Sequence, residues 1–118
     1  MRVALWRWAL AFCMLTILVF SLMPPSPSLP STGWDKSNHA LGFMALAFLS
    51  HWAWPGRTAA ALAGLLAYGA LIEVLQSLTP NRQAEFADLF ADAVGLAIGA
   101  VTAWLVAHWM HRRSARSS

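Results

Sequence analysis

The apolar residues of this chain fall into four long runs, separated by short polar or proline-rich stretches. The runs extend over about 3–23, 39–54, 58–78 and 86–109. Because a helix rises 1.5 Å per residue, about 20 residues cross a hydrocarbon core of about 30 Å. The second run is short for a span unless its helix starts near Trp34, with Asp35 or Asn38 close to its N-terminal end. The pattern predicts an all-α fold, a bundle of four transmembrane helices.

Helix-breaking residues mark the connections between these runs. The stretch 24–37 contains Pro24, Pro25, Pro27 and Pro30. It is therefore expected to be extended rather than helical throughout. Pro55-Gly56-Arg57 predicts a tight turn, and Thr79 with Pro80 ends the third helix. After Trp109 the chain is polar and basic, so residues 110–118 are expected to form a frayed tail.

The composition supports one membrane domain over residues 1–118. Hydrophobic residues make up 58% of the chain and charged residues 11%, whereas a soluble domain has about 25% charged residues. The net charge of +3 does not indicate nucleic-acid binding, because the basic residues adjoin apolar segments and form no face interleaved with exposed aromatics. Cys13 is the only cysteine, which excludes an internal disulfide. The tryptophans mostly lie near the ends of the apolar runs, as in interfacial aromatic belts.

The basic residues predict an orientation in the membrane. With four spans both termini share one side, which carries Arg2, Arg7, Arg57, Arg112, Arg113 and Arg116 and no acid. The other side has only Lys36 and Arg82 as basic residues. The positive-inside rule then places both termini in the cytoplasm, as in a multi-pass inner (plasma) membrane protein.

A secretory signal peptide is the alternative interpretation of the first run, because Arg2 and Arg7 accompany an apolar stretch. The run is longer than a usual signal core of about 7–15 residues, and no small-x-small cleavage pattern follows it. A first transmembrane helix is therefore favoured.

Polar chemistry is concentrated at the predicted outward side, where all five carboxylates fall. Asp35 and His39 are one turn apart at the start of the second helix, and Asp88 and Asp92 are one turn apart at the start of the fourth. Glu73 lies about 7–8 Å inside the outward end of the third helix, where an ionisable group persists when it is paired or functional. The members of the predicted ligand-binding site are Asp35, Lys36, His39, Glu73, Gln76, Arg82, Asp88 and Asp92.

Two stripes of small residues predict which helix faces meet. Gly95 and Gly99 continue the face of Asp88 and Asp92 along the fourth helix, which would let a neighbouring helix approach closely. On the third helix, Ala60, Gly64 and either Ala67 or Tyr68 lead towards Glu73. Both stripes are expected to face the bundle interior together with the acids.

Each polar cluster also has a structural interpretation. Asp35 can act as a helix N-cap, and the two acids of the fourth helix suit the positive end of its dipole, worth about 0.3–1 kcal/mol each. A structural network of ion pairs therefore remains an alternative. Convergence from three helices and a loop favours a shared polar site over capping alone.

The order of these motifs resembles the VanZ-like family of small bacterial membrane proteins. The resemblance rests on Asp35-Lys36-x-x-His39, Glu73-x-x-Gln76, Pro80-x-Arg82 and Asp88-x-x-x-Asp92-x-x-Gly95, and it covers about 35–99. The second acid of the last motif is often Asn in the family pattern. The family name comes from a member associated with resistance to teicoplanin, a lipidated glycopeptide. The resemblance implies an outward-facing envelope protein and supplies no reaction.

Two functional hypotheses follow. In the first, the site binds lipidated glycopeptide-type or lipid-linked head groups, with Lys36 and Arg82 on phosphate or carboxylate. In the second, the chain is a membrane hydrolase or transferase acting on a lipid-phosphate or polyprenyl-linked substrate. Its catalytic candidates are His39, Glu73 and Asp88.

A divalent cation fits either hypothesis. Its candidate ligands are His39, Glu73, Asp88 and Asp92, a set suited to Mg²⁺, Mn²⁺ or Ca²⁺ rather than to structural zinc. Membrane lipid is the expected surrounding partner, and homo-oligomerisation is left open.

Overall fold

The computed structural model describes residues 3–23, 35–78 and 85–117, with the backbone alone at 35, 36 and 117. These residues form four α-helices: α1 (Val3–Leu22), α2 (Asp35–Ala53), α3 (Thr58–Ser77) and α4 (Phe86–Ser117). The predicted all-α class is confirmed, and α2 starts at Asp35, as its length required. The proline-rich stretch 24–34 and the connection 79–84 lie outside the described residues, so their predicted conformations stay predictions.

The central helix of the bundle is α2. It contacts each of the other three helices, whereas α1 and α4 do not contact each other over their described residues. The side chains of Phe43, Leu46, Ala47 and Ala53 on α2 are at most 1% exposed. Since α2 is covered by protein on several sides, it needs fewer apolar residues than a helix that faces lipid.

Close packing between α2 and α4 depends on the two glycines of the predicted stripe. A Cβ atom at Gly95 would collide with the carbonyl oxygen of Ala40, and one at Gly99 with that of Met44. Real Cβ atoms do not approach a backbone so closely, so only glycine permits this separation of the two helix axes. The expectation that Gly95 and Gly99 face the bundle interior is confirmed.

The corresponding prediction for α3 is wrong for Ala60, Gly64 and Ala67, whereas its alternative member Tyr68 packs against the core. Ala60, Gly64 and Ala67 are exposed, and no neighbouring atom lies within 4 Å of a Cβ built at Gly64. The buried residues of α3 are Leu65, Gly69, Ile72, Glu73 and Gln76. This face is displaced by one residue, about 100° around the helix. Small residues permit close approach but do not require it, and burial of Leu65 and Ile72 sets the rotation of α3.

Three helices are long and apolar enough to cross a membrane: α1, α3 and residues 86–116 of α4. These helices expose many large apolar side chains, including Phe12, Leu71 and Val101, each more than half exposed. Of the α2 side chains that the structure describes, Leu41 is the only large apolar one in the exposed class. The apolar surface offered to lipid is therefore carried by α1, α3 and α4.

The fourth helix is longer than expected. It continues to Ser117, so the prediction of a frayed tail after Trp109 is wrong for the described residues. No glycine or proline follows Gly99, and arginine, alanine and methionine are good helix formers. The guanidinium of Arg113 also lies 5.1 Å from the centre of the Trp109 ring, one turn back along the helix. Local propensity and this contact carry the helix through its basic end.

At the end of the bundle opposite the acids, hydrogen bonds and a cation–π contact hold the turn between α2 and α3 and the end of α2. Gly56 has a φ of 77°, and the backbone N–H of Arg57 donates to the Trp54 carbonyl at 3.1 Å, confirming the predicted tight turn. Nε of Arg7 donates to the Ala53 carbonyl at 3.0 Å, and its guanidinium lies 3.8 Å from the centre of the Trp54 ring. Arg7 thus satisfies a carbonyl that the end of α2 leaves without a helical partner.

Candidate functional site

The polar residues meet where α1 and α3 end and where α2 and α4 begin. Nε2 of Gln76, near the end of α3, donates to the carbonyl oxygen of Ser21, near the end of α1, at 2.9 Å. The hydroxyl of Tyr68 donates to the carbonyl of Met14, so a second hydrogen bond joins α3 to α1 further from the ends of these helices. These bonds place the end of α3, which carries Glu73, in the bundle rather than against lipid.

His39 on α2 and Asp92 on α4 form the central pair of the site. Nδ1 of His39 lies 3.0 Å from Oδ1 of Asp92, and their side chains are 12% and 0% exposed. Gly95, one turn after Asp92, packs on the backbone of Ala40, which directly follows His39. The glycine therefore brings the two helices close enough for the imidazole to reach the carboxylate.

Glu73 brings α3 into the same site. It is 8% exposed, and its Oε2 accepts a hydrogen bond from the backbone N–H of Glu85 at 2.9 Å. His39, Glu73 and Asp92 each offer one ligand-type atom, and these atoms lie within 4.8 Å of one another. The predicted convergence of groups from α2, α3 and α4 is confirmed for these three residues.

Several acceptor oxygens in the site are buried and have no hydrogen-bond donor among the described residues. Among the described residues, no donor reaches Oε1 of Glu73, Oδ2 of Asp92 or Oε1 of Gln76. Gln76 is 3% exposed and lies one turn beyond Glu73 on the buried face of α3. A buried carboxylate oxygen without a donor or cation costs about 1–3 kcal/mol or more in folding free energy. For these oxygens, a cation or a hydrogen-bond donor from outside the described residues would be a suitable partner.

Gly69 contributes to the site although the sequence analysis did not select it. A Cβ there would come within 2.6 Å of Oδ2 of Asp92 and within 3.2 Å of the Phe43 ring. The glycine leaves room for the Asp92 carboxylate against α3. Its signal in the sequence is its position one helical turn before Glu73, on the face that turns out to be buried.

Asp88 is buried at 6% exposure, one turn before Asp92 on the same face of α4. The described part of the site therefore holds three carboxyl groups and one imidazole. Such a site favours a cation, an amine or a hydroxyl donor.

The other predicted members lie outside the side chains that the structure describes. The backbone of Asp35 begins α2, but the side chains of Asp35 and Lys36 are not described, and Arg82 falls in the stretch 79–84. The proposed N-cap role of Asp35 and the anion contacts of Lys36 and Arg82 stay predictions.

Comparison with known proteins identifies the family. No curated protein and no solved structure matches the chain significantly. The family model described as VanZ/LLP1 matches residues 8–107. The match extends beyond the motifs of 35–99 to include most of α1, and it contains all of the site residues above. This chain therefore belongs to the VanZ/LLP1 family.

Proposed function

We propose that this chain is a four-span inner-membrane protein of the bacterial envelope whose outward site binds the head group of a lipid-linked or amphiphilic molecule, lipidated glycopeptides included. Both termini lie in the cytoplasm. Family membership and three membrane-capable helices support the membrane location and an envelope- or resistance-associated role. The orientation, the fourth span and the ligand class are the finer parts of the proposal.

The position of α2 supports a fourth span. It lies among the three lipid-compatible helices, and its fully buried residues extend from Phe43 to Ala53. A helix enclosed by others can cross the membrane with a polar first turn, because that turn faces the site rather than lipid. Arg7 and Arg57 lie at the opposite end from Glu73 and Asp92, which fits the positive-inside rule with that end in the cytoplasm.

The observation that carries head-group binding is the buried acidic site near the outward helix ends. Glu73 and Asp92 each hold one oxygen that no described donor reaches. Glu73 lies about 6 Å below the end of α3 at Ser77, in the outward part of the span and between the head groups and the bilayer centre. An amine or sugar hydroxyl of an amphiphile would satisfy these oxygens, while Lys36 and Arg82 would contact its phosphate or carboxylate.

Susceptibility to teicoplanin, measured in a strain that lacks the chromosomal copy, tests this proposal. We expect the unaltered chain to protect the cells, and His39→Ala, Glu73→Gln, Asp92→Asn and Arg82→Ala to lose protection at equal membrane abundance. His51→Asn is the matched control, because His51 lies on the same helix at the opposite end of the bundle. Retained protection in all four site variants would contradict the proposal, as would equal loss in His51→Asn.

Catalysis is the second candidate function, favoured by the contact between His39 and Asp92. A carboxylate that orients an imidazole beside a second acid is an arrangement used for general acid–base chemistry. The substrate would be a lipid-phosphate or polyprenyl-linked molecule. Release of phosphate or of the head group from such substrates by the purified protein, abolished by His39→Ala, would establish this function. Absence of turnover by a protein that still binds the amphiphile would leave the binding function alone.

A further inference from the structure

We propose that His39, Glu73 and Asp92 bind one divalent transition-metal cation, with Mn²⁺ as its representative. The inference deepens the proposed function, because it assigns an ion to the same outward site. It rests on the ligand atoms that the fold brings together, and on the buried oxygens for which the described residues provide no donor.

The spacing of the three groups is close to that of ligands around one ion. Bonds of about 2.0–2.2 Å place neighbouring ligands about 3 Å apart and opposite ligands about 4.2 Å apart. Nδ1 of His39 and Oδ1 of Asp92 are 3.0 Å apart, and all three groups offer atoms within 4.8 Å of one another. Because separations of up to 4.8 Å exceed this spacing, the Glu73 carboxylate would have to move closer to the other two groups when the ion binds.

Burial supplies the second, independent observation. Asp92 is 0% exposed and Glu73 is 8% exposed, and each has a carboxylate oxygen that no described donor reaches. A cation among them would neutralise both groups at once and replace the missing donors. Gln76 offers a further buried carbonyl oxygen one turn from Glu73. Bonding of its Nε2 to Ser21 fixes the orientation of this amide.

The mixed ligand set selects the kind of ion. Ca²⁺ and Mg²⁺ take oxygen ligands, and Mg²⁺ also keeps several waters. Carboxylates suit Mg²⁺, Ca²⁺ and Mn²⁺ alike, whereas imidazole is a ligand for transition-metal ions such as Zn, Cu, Fe and Ni. Mn²⁺ is the transition-metal ion among the three that carboxylates suit. Of Mg²⁺, Ca²⁺ and Mn²⁺, the ions predicted from the sequence, one imidazole with two carboxylates therefore favours Mn²⁺.

The test uses the full chain, purified in detergent on an affinity tag without histidine and loaded with Mn²⁺ alone. We expect about one Mn²⁺ per chain, with affinity at least about ten-fold above that for Mg²⁺ or Ca²⁺. Pulsed electron paramagnetic resonance should show coupling of the ion to an imidazole nitrogen. Absence of a bound ion, or a bound ion without nitrogen coupling, would overturn the inference with the unaltered protein alone.

Variants assign the ligands. Glu73→Gln and Asp92→Asn preserve shape, and each should weaken Mn²⁺ binding at least about ten-fold. His39→Gln should abolish the nitrogen coupling, while His51→Asn on the same helix should leave it intact. Nitrogen coupling that survives His39→Gln would place the ion elsewhere, for instance at His108 or His111, and would overturn the assignment.

The outcomes separate this inference from the proposed function. Bound Mn²⁺ together with unaltered teicoplanin protection in the site variants would contradict the proposed function and support the metal site. Lost protection in those variants, with no ion bound to the unaltered chain, would contradict only the proposed metal site. In that case donors from residues such as Arg82 would satisfy the buried carboxylates.

Discussion

Nδ1 of His39 and Oδ1 of Asp92 lie 3.0 Å apart although 53 positions separate them in the sequence. The contact joins the first turns of α2 and α4, the pair of helices that Gly95 and Gly99 bring into backbone contact. Helix packing and polar chemistry therefore depend on the same interface. Substitutions at this interface can be divided into those that separate the helices and those that remove only the polar groups.

A double-mutant cycle on His39→Ala and Asp92→Ala should show that the two side chains act together. Removing either one leaves the other buried without its partner, so the second substitution should cost less than the first. We expect a coupling energy of about 1–2 kcal/mol in the free energy of unfolding in detergent. If the two substitutions add within about 0.3 kcal/mol, the pair contributes nothing as a unit.

Gly95→Ala and Gly64→Ala should have different effects on the free energy of unfolding, although each adds one methyl group to a helix. At position 95 the methyl meets the backbone of Ala40, and at position 64 it meets no atom within 4 Å. We expect Gly95→Ala to lower the free energy of unfolding by at least about 1–3 kcal/mol. Gly64→Ala should leave it unchanged or raise it by about 0.5–1 kcal/mol, because alanine is the better helix former.

Membrane abundance and thermal unfolding of the two glycine variants provide the measurement. Equal stability of Gly95→Ala and Gly64→Ala would mean that α2 and α4 are further apart than the structure has them.

Gly69→Ala should impair the site more than the fold. The added methyl would push on the Asp92 carboxylate, whose nearest oxygen is 2.6 Å from the built Cβ, and on the Phe43 ring at 3.2 Å. The carboxylate can rotate, so we expect a loss of stability of about 1–2 kcal/mol. The affinity for Mn²⁺ should fall at least about ten-fold. Unchanged metal affinity in a folded Gly69→Ala protein would show that Asp92 keeps its position without this space.

Arg7→Ala should destabilise the end of the bundle opposite His39 and Asp92. The substitution removes the donor to the Ala53 carbonyl and the cation over the Trp54 ring. Together these interactions are worth about 1–2 kcal/mol. Arg7→Lys keeps the charge but loses the planar guanidinium, and we expect it to recover less than half of the loss. Arg112→Ala, at an exposed position of α4, is the control that should change thermal unfolding little.

Single cysteines can test the orientation of the four helices. In a Cys13→Ala background, Glu85→Cys should react with a membrane-impermeant maleimide added to intact spheroplasts. Arg57→Cys and Arg116→Cys should react only after the membrane is permeabilised, because the excess of arginine predicts that their end is cytoplasmic. Labelling of both Arg57→Cys and Arg116→Cys from outside would mean that the orientation is reversed. Labelling of the two from opposite sides would mean that only one of α3 and α4 crosses the membrane.

The apolar runs and the helix-breaking residues between them were sufficient to predict the four helices. The starts of α1, α3 and α4 and the turn at Gly56 follow from where apolar runs meet prolines, glycines and charges, since these are local effects of backbone chemistry. The sequence also predicted that Glu73 and Asp92 would share a site with His39. With short connections and alternating helix directions, those positions fall at the same end of the bundle.

Rotation of α3 and the pairing of individual side chains required the tertiary structure. Gly64 and Gly69 are both glycines in apolar surroundings, and only the positions of Phe43 and Asp92 show that Gly69 is the one in close contact. The sequence by itself determined which polar groups gather at one end of the bundle. The order of the helices and the position of each residue along its helix are set by the sequence. Only the packing of side chains between helices decided which face of each helix turns inward and which carboxylate meets His39, because rotation about a helix axis depends on neighbours distant in sequence.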